Sequence, residues 1–322
     1  MEFRSIRSGE LQMWSELCRE VFDKETGREH GDSFLRMAQN DPWKEQNSIL
    51  VAVDESRIVS TVQIYCRTTM VGAQAIKTGC IGGVCTNPAY RGQGLTTRLL
   101  HNAIDIMREQ DIPLSMLTSG IWSFYERSGW ENVDWHWKIA NFEVDDRVLE
   151  AFTVRPVRME DMDAIKILYA KHSRRFNGPI VRDRDDYWSR NIQMENKPCW
   201  VAVDHNGDLI AYVWLYIRDE DQYSCVIEYG EAAPGGRILE RMLNRICLAY
   251  GWKTCRLRAQ SGVHFDFGAA ETTTYPGIMY RLIDPIQLQD ERIATTGQLI
   301  RYLNRHNKPD RSDFINWDHD NV

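Results

Sequence analysis

Long apolar runs are missing from this chain: no stretch of about eighteen or more uncharged apolar residues occurs in it, so no membrane-spanning helix is expected. The N-terminal MEFRSIRSGELQMW scatters charges where a secretory signal would carry its apolar segment, which speaks against export. Positive charge is also in short supply. The formal net charge is -7 and the pI is near 5.7, so a nucleic-acid backbone, which needs a basic face to release counterions, is not an expected partner. The eight cysteines (18, 66, 80, 85, 199, 225, 247 and 255) include no C-x-x-C pair and no neighbouring His pattern. That excludes the usual zinc spacings and a small disulfide scaffold. The expectation is a cytoplasmic protein with reduced thiols in its core, no metal, no membrane and no nucleic acid.

What is present is the mixture of an ordinary globular protein, 43% apolar and 26% charged, in 322 residues, a length that favours two domains. The chain also repeats itself at about half its length. VAVD occurs at 51 and at 201, each time followed by a polar turn (DESR, DHNG) and a β-branched or aromatic run, the pattern of a hairpin. Upstream, FRSIRSGELQMWSEL (3 to 17) and FTVRPVRMEDMDAIKIL (152 to 168) both lead from a short extended run into a helix start at almost the same offset. Two matched elements at one spacing argue for a duplicated fold. The link falls near 144 to 151. After Asp284 the chain opens with a predicted helix, then loses periodicity and gains Asp, Asn and Pro, which reads as a tail or docking arm.

The most informative stretch is Ile81-Gly-Gly-Val-Cys-Thr-Asn-Pro-Ala-Tyr-Arg-Gly-Gln-Gly-Leu95, read as strand, turn and helix. Leu95, Leu99, Leu100, Ala103, Ile104 and Met107 share one face at helical spacing, so a helix starts close to Gly94. Free N–H groups at a helix start carry partial positive charge, and Gly92 and Gly94 remove side chains that would keep an anion away. A pyrophosphate fits there. Arg91 either assists or braces the loop, and the Thr96 and Thr97 hydroxyls add donors. A Gly-x-Gly turn before a helix is equally at home as a plain tight connection.

Asn87-Pro-Ala-Tyr-Arg-Gly-Gln-Gly-Leu95 resembles the cofactor loop of the GNAT superfamily, N-P-x-Y-R-G-x-G followed by Ile or Leu. Further on, Phe124-Tyr-Glu-Arg-Ser-Gly-Trp130 is similar to that family's second signature, after a strand-like IPLSMLTS (112 to 119). The resemblance implies an α/β fold of two tandem GNAT-like domains, each a mixed, mostly antiparallel central sheet flanked by helices. A catalytic domain would span 1–148, a second, degenerate one 152–284, and a C-terminal helix and tail 285–322. It implies acetyl-CoA as cosubstrate, with Arg91, Gly92, Gln93, Gly94, Leu95, Thr96 and Thr97 at the phosphates and the backbone of Val84, Cys85 and Thr86 along the pantetheine arm. Tyr125 would be the proton donor to the departing thiolate. Thr96 and Thr118 depart from the common pattern, where Gly or Ala and Asn stand. The tandem arrangement resembles the Eis-type acetyltransferases, whose C-terminal carboxylate reaches the active site, a role Val322 would take here.

The second copy reads Val226-Ile-Glu-Tyr-Gly-Glu-Ala-Ala-Pro-Gly-Gly-Arg237 where the loop should be, without Arg-Gly-x-Gly and with Glu231 to repel a phosphate. It is expected not to bind acetyl-CoA and to shape the acceptor pocket or an oligomer contact. RRFNGPIVRDRDDYWSRN (174 to 191) is expected to be a self-paired surface helix, and Trp122, Trp130, Trp135 and Trp137 to be core or strand packing. Glu25, Glu29, His30 and Asp32 are candidates for binding a cationic acceptor, and the same run reads equally as a solvated surface loop. The acceptor is expected to be an amine on a small molecule or peptide. A non-catalytic acyl-CoA-binding or scaffold protein is the alternative, and a homo-oligomer is left open.

Overall fold

The computed structural model describes residues 1–141, 152–192, 198–218, 223–233, 237–252, 254–258, 271–289, 291–307 and 314–315. The expected link at 144–151 and the terminal Val322 lie outside the described residues. The first run of elements is β1 (Glu2–Ser5), α1 (Leu11–Thr26), α2 (Ser33–Asn40), β2 (Ser48–Asp54), β3 (Arg57–Val71), β4 (Gln74–Thr86), α3 (Leu95–Glu109), β5 (Leu114–Thr118), α4 (Trp122–Glu126) and β6 (Glu131–Asn141). The second is β7 (Phe152–Pro156), α5 (Met162–Ser173), α6 (Asp185–Ile192), β8 (Cys199–Asp204), β9 (Leu209–Arg218), β10 (Tyr223–Glu231), α7 (Arg237–Tyr250), β11 (Thr254–Arg258) and β12 (Glu271–Leu282). β13 (Ile286–Leu288), β14 (Glu291–Ile293) and α8 (Thr296–Leu303) follow. Among the described residues, no helix is long and apolar enough to cross a membrane.

Each half buries apolar side chains on both faces of its sheet. In β2, Leu50 and Ala52 join the core under α3, while Ile49, Val51 and Val53 pack with Trp14, Leu17, Cys18 and Val21 of α1. Alternation puts neighbours on opposite faces, so a strand covered on both sides reads as a continuous apolar run. The repeat extends to an ion-pair clasp that the sequence reading did not find. Arg4 grips Glu10 through two bonds of 2.7 and 2.8 Å, and the Arg7 N–H donates to the same carboxylate. In the second half Arg155 grips Asp161 at 2.7 and 2.8 Å, with the Arg158 N–H donating to it. The Arg4 hydrogen bonds hold the Glu10 carboxyl down at about 2.

The strands form one twelve-stranded sheet ordered β1-β2-β3-β4-β5-β12-β6-β11-β10-β9-β8-β7. Its centre departs from a simple tandem. β12, expected within the unit 152–284, lies between β5 and β6: Ile278 faces Thr118, Leu282 faces Leu114, and its other edge follows β6 from Tyr280↔Glu131 to Glu271↔Ile139. In return the far end of β6 pairs with β11, Thr254↔Asn141 to Arg258↔Trp137. The last strands of the two halves are thus exchanged. Hydrophobic patterning fixes that a segment is a strand, not which of two equivalent sheets it completes.

A second junction covers an open edge. β2 accompanies β3 only as far as Ser48↔Ile64. Beyond it, Asn47 Oδ1 accepts from the Cys66 N–H at 2.9 Å, and residues 178–181 take over: Gly178 N–H to Met70 O, Met70 N–H to Pro179 O and Val181 N–H to Thr68 O, at 2.7 to 2.8 Å. This corrects the expectation of a self-paired helix over 174–191. Only Asp185–Ile192 is helical there. Arg182 is fully buried, paired bidentately with Glu228 at 2.9 and 2.6 Å, and lies over the ring of Tyr169.

The residues after Asp284 also differ from expectation. They open as a hairpin, β13 and β14, joined through Gln289 at φ 48, before the helix starts at Thr296. Ile286, Leu288, Ile293, Leu299 and Leu303 are buried with Leu114, Met116, Ile278 and Tyr280, so this piece is part of the core. Short alternation around a turn outweighs weak helical periodicity. Of the four tryptophans singled out, Trp130 and Trp137 are buried and Trp122 is exposed.

A chain ending at residue 270 would lack the strand between β5 and β6. It is expected to lose cooperative unfolding of the first half as well as the second, read by near-UV circular dichroism and a thermal scan; a retained cooperative transition would contradict the exchange.

Candidate functional site

The functional geometry starts where β4 and β5 separate. They pair in parallel only at Thr78↔Leu114, Gly79↔Ser115 and Cys80↔Met116. Past Cys80, β4 stays with β3, through a bulge between Thr61 and Gln63, and parts from β5. A bulge adds a residue to one strand and turns it away from its neighbour. The opened edge of β4 leads into the turn at Asn87, whose side chain accepts from the Ala89 N–H, and then into α3.

Gly92 and Gly94 have φ of 76 and 72, a left-handed conformation that side chains rarely adopt, and Gly94 is the N-cap of α3. The first helical bond of α3 runs from the Arg98 N–H to Gly94 O. Among the described residues, the amides of Gly92 to Thr97 donate to no protein acceptor. They face a cleft of about 480 Å³. Val84, Cys85, Thr86, Arg91, Gly92, Gln93, Gly94, Leu95, Thr96, Thr97 and Tyr125 all line it, together with Glu25, Tyr90, Ile121, Phe124 and Arg127. The expected cofactor-loop residues, the β4 residues and Tyr125 are therefore in one place, whereas Glu29, His30 and Asp32 do not line the cleft.

Arg91 braces the loop. Its Nε donates to Thr86 O at 3.3 Å and its Nη2 meets Glu25 Oε1 at 2.5 Å. Glu25, considered above as an acceptor-binding group, is thus engaged at the mouth of the cleft by Arg91. His30 bonds Asp23 Oδ1 at 2.8 Å and lies tilted against Phe34, ring centroids 5.7 Å apart, while Glu29 and Asp32 are exposed.

A hydroxyl chain that the sequence reading missed ties α3 to β4. Ser60 Oγ donates to Cys85 O at 3.2 Å, which leaves it to accept from Thr86 Oγ1 at 2.7 Å, and Thr86 in turn accepts from Thr96 Oγ1 at 2.6 Å. Thr96, a departure from the family pattern, is explained by this chain. Ser60 lies on a different strand, so only the three-dimensional register reveals it.

Tyr125 sits on α4, 7% exposed, edge-on to Phe124 at 5.0 Å and Trp130 at 6.4 Å. Among the described residues its hydroxyl has no hydrogen-bond partner. Burial pushes the phenol up to about 12, so it is protonated across the neutral range. Its helix is held by the exchanged strand: the Ser119 N–H donates to Gly277 O, and Arg281 binds Ser128 O while lying 5.3 Å from the Trp130 ring.

Residues 2–133 match the family model described as an acetyltransferase (GNAT) domain. The match covers the N-terminal part of the chain, which is therefore similar to a GNAT acetyltransferase domain. A search of curated protein sequences finds no match. Among solved structures the chain is similar to a probable N-acyltransferase from Enterococcus faecalis V583, with a TM-score of 0.73 and 16% identity over 89% of this chain and 73% of that one. It is similar to Eis1 from Mycobacterium abscessus (TM-score 0.59, 10% identity, 88% and 73% covered) and to Saccharomyces cerevisiae N-myristoyltransferase with bound myristoyl-CoA (0.57, 14%, 92% and 83%). At such identities the likeness is one of fold.

The raised phenol gives a sign that can be checked. Its folded value lies above the unfolded value of 10, so its contribution, about 2 to 3 kcal/mol, is complete below pH 10 and disappears as pH rises through about 12. Tyr125→Phe is expected to flatten the loss of stability between pH 10 and 12, measured by urea unfolding; a slope identical to wild type would show that the phenol is not perturbed.

Proposed function

We propose that the N-terminal half, residues 1–148, transfers an acetyl group from acetyl-CoA to an amine by direct attack, without an acyl-enzyme. The observation that carries this reading is the row of unpaired amides from Gly92 to Thr97 opening on the same cleft as Tyr125. Unpaired N–H groups at a helix start suit a pyrophosphate, and the free edge of β4 at Val84, Cys85 and Thr86 suits the amides of a pantetheine arm. Acetyl-CoA supplies the activated thioester.

The chain's own groups do the rest. Amides on the opened β4 edge polarise the thioester carbonyl as fixed donors. Tyr125, held protonated by burial, gives its proton to sulfur as the C–S bond breaks and the N–C bond forms, while the extra proton on the acylated nitrogen passes to solvent and solvent reprotonates the phenolate. The acceptor must reach the thioester as a neutral amine, having released its ammonium proton. The acidic segment with Glu29, His30 and Asp32 and the net charge of -7 favour a cationic acceptor.

The second half, 152–284, is proposed to bind no acetyl-CoA. Its strands β10 and β11 part after Cys225↔Arg256 much as β4 and β5 do. Yet the ground there is filled: Glu228 takes two bonds from Arg182 and one from the Tyr212 hydroxyl at 2.9 Å, and Glu231 is buried where Thr86 stands in the first half. Pro234 to Gly236 lie outside the described residues.

Two variants test the reading. Tyr125→Phe is expected to lower kcat by about a hundredfold or more with coenzyme A affinity unchanged, measured by thiol release across an amine panel. Gly94→Val puts a β-branched residue at a left-handed φ and is expected to weaken coenzyme A binding at least tenfold by calorimetry. Wild-type turnover of no amine at all would refute the assignment.

A further inference from the structure

The mechanism above leaves one buried polar group unused. Gln63 is 1% exposed, and its Oε1 is buried without a hydrogen-bond partner. It lies on β3 facing Gly82, beside the bulge. It shares a face with Thr61, whose Oγ1 accepts from the Trp14 Nε1–H at 2.9 Å, so its side chain is on the α1 side of the sheet. Tyr125 belongs to the core under α3, on the other side.

Gly82 and Gly83 carry no side chain above the bulge, which lets the Gln63 amide lie across β4. A Cβ on Gly83 would come within 3.5 Å of Gln63 Oε1 and 3.5 Å of Trp14 Cζ2. Gly83 has φ +56, and Gly82, Gly83 and Val84 are all partly exposed in a strand that is otherwise buried around them. The two glycines thus leave β4 backbone partly exposed beside the buried Gln63 amide and the Trp14 indole, next to Val84 of the cleft. The second half closes the same place, since Trp214 faces Glu228 where Gln63 faces Gly82.

A buried carbonyl oxygen without a donor is costly unless a ligand supplies one. We propose that Gln63 Oε1 accepts a hydrogen bond from the N–H of the attacking amine and so positions the acceptor nitrogen against the thioester. This rests on the acetyl-transfer reading. The sulfur side is taken by Tyr125, so the nitrogen arrives from the α1 face, through the gap where β4 leaves β5. A primary or secondary amine fits; a tertiary amine has no N–H to give once deprotonated. Gln63 acts by orientation, and no proton leaves it.

The test uses the full chain, acetyl-CoA and the amine turned over best from a panel containing spermidine, lysine and a short peptide with a free N-terminus. Gln63→Leu is expected to lower kcat/KM for that amine at least tenfold while leaving the KM for acetyl-CoA and the affinity for coenzyme A unchanged. Gln63→Glu keeps an acceptor oxygen at the same reach and is expected to retain most of the rate. With coenzyme A bound, the side-chain amide resonance of Gln63 in the wild-type protein, labelled at glutamine nitrogen, should move as the amine is titrated, a readout independent of variant folding. An unchanged kcat/KM in Gln63→Leu, equal losses in both variants, or a static resonance would overturn the proposal while wild-type turnover leaves acetyl transfer standing. A wild type that binds coenzyme A but acetylates none of the amines would overturn both.

Discussion

The exchange of β6 and β12 is the constraint on which the rest of the molecule depends. Each half builds its sheet outward to a parallel pair, β4 with β5 and β10 with β11, and then hands its last strand to the other half. β12 closes β5 and β6 closes β11, so neither half has a complete sheet alone. An open edge with unpaired backbone groups is a liability that folded chains cover, and here each half covers the other's. The site inherits this dependence. The loop before α4 is tied to Gly277, and the turn after it to Arg281, both residues of the donated strand. Tyr125 keeps its place in the first half because the second half reaches in behind it.

Two copies of one scaffold then show what decides between an open and a filled centre. Both retain the clasp at the first helix, the hairpin, a bulged central strand and a crossover helix that makes the next strand parallel. In the first copy the bulge carries Gly82 and Gly83, and a cleft opens beside it. In the second, Glu228 sits there with Arg182 and Tyr212, and aromatic rings surround the pair. Removing either charge alone would cost about 3 to 5 kcal/mol, because the other would remain buried and unpaired. Such a pair holds its ground against a ligand far better than water does.

The elements legible in the sequence were those whose signal is local. The α3 face from Leu95 to Met107, both hairpins at VAVD and the turn around Gly92 and Gly94 follow from periodicity and backbone preference within a short window. The cleft lining was legible for the same reason, since most of it is one continuous run from Val84 to Thr97. What escaped depends on pairings between distant positions. Ser60 meets Thr86 across a strand register, Asn177 to Val181 cap β3 from more than a hundred positions away, and β12 chooses a neighbour that pattern alone does not specify. Arg182 and its acidic neighbours look like a solvated charge run until the burial of Glu228 is seen.

An acidic chain with an anion-suited cleft poses an electrostatic question that the local geometry answers. A net charge of -7 spread over the surface is screened within about 8 Å at physiological salt. The partial charges at the start of α3 act at hydrogen-bond distance, where they outweigh that diffuse charge. The obvious cation, Arg91, is already held by Glu25 and Thr86 O. That arrangement leaves, for the proposed phosphate site, amides whose direction is fixed by Gly92, Gly94 and the Ser60–Thr86–Thr96 hydroxyl chain. Fixed donors need no rearrangement when an anion arrives, and they select by geometry where a mobile arginine would select by charge alone.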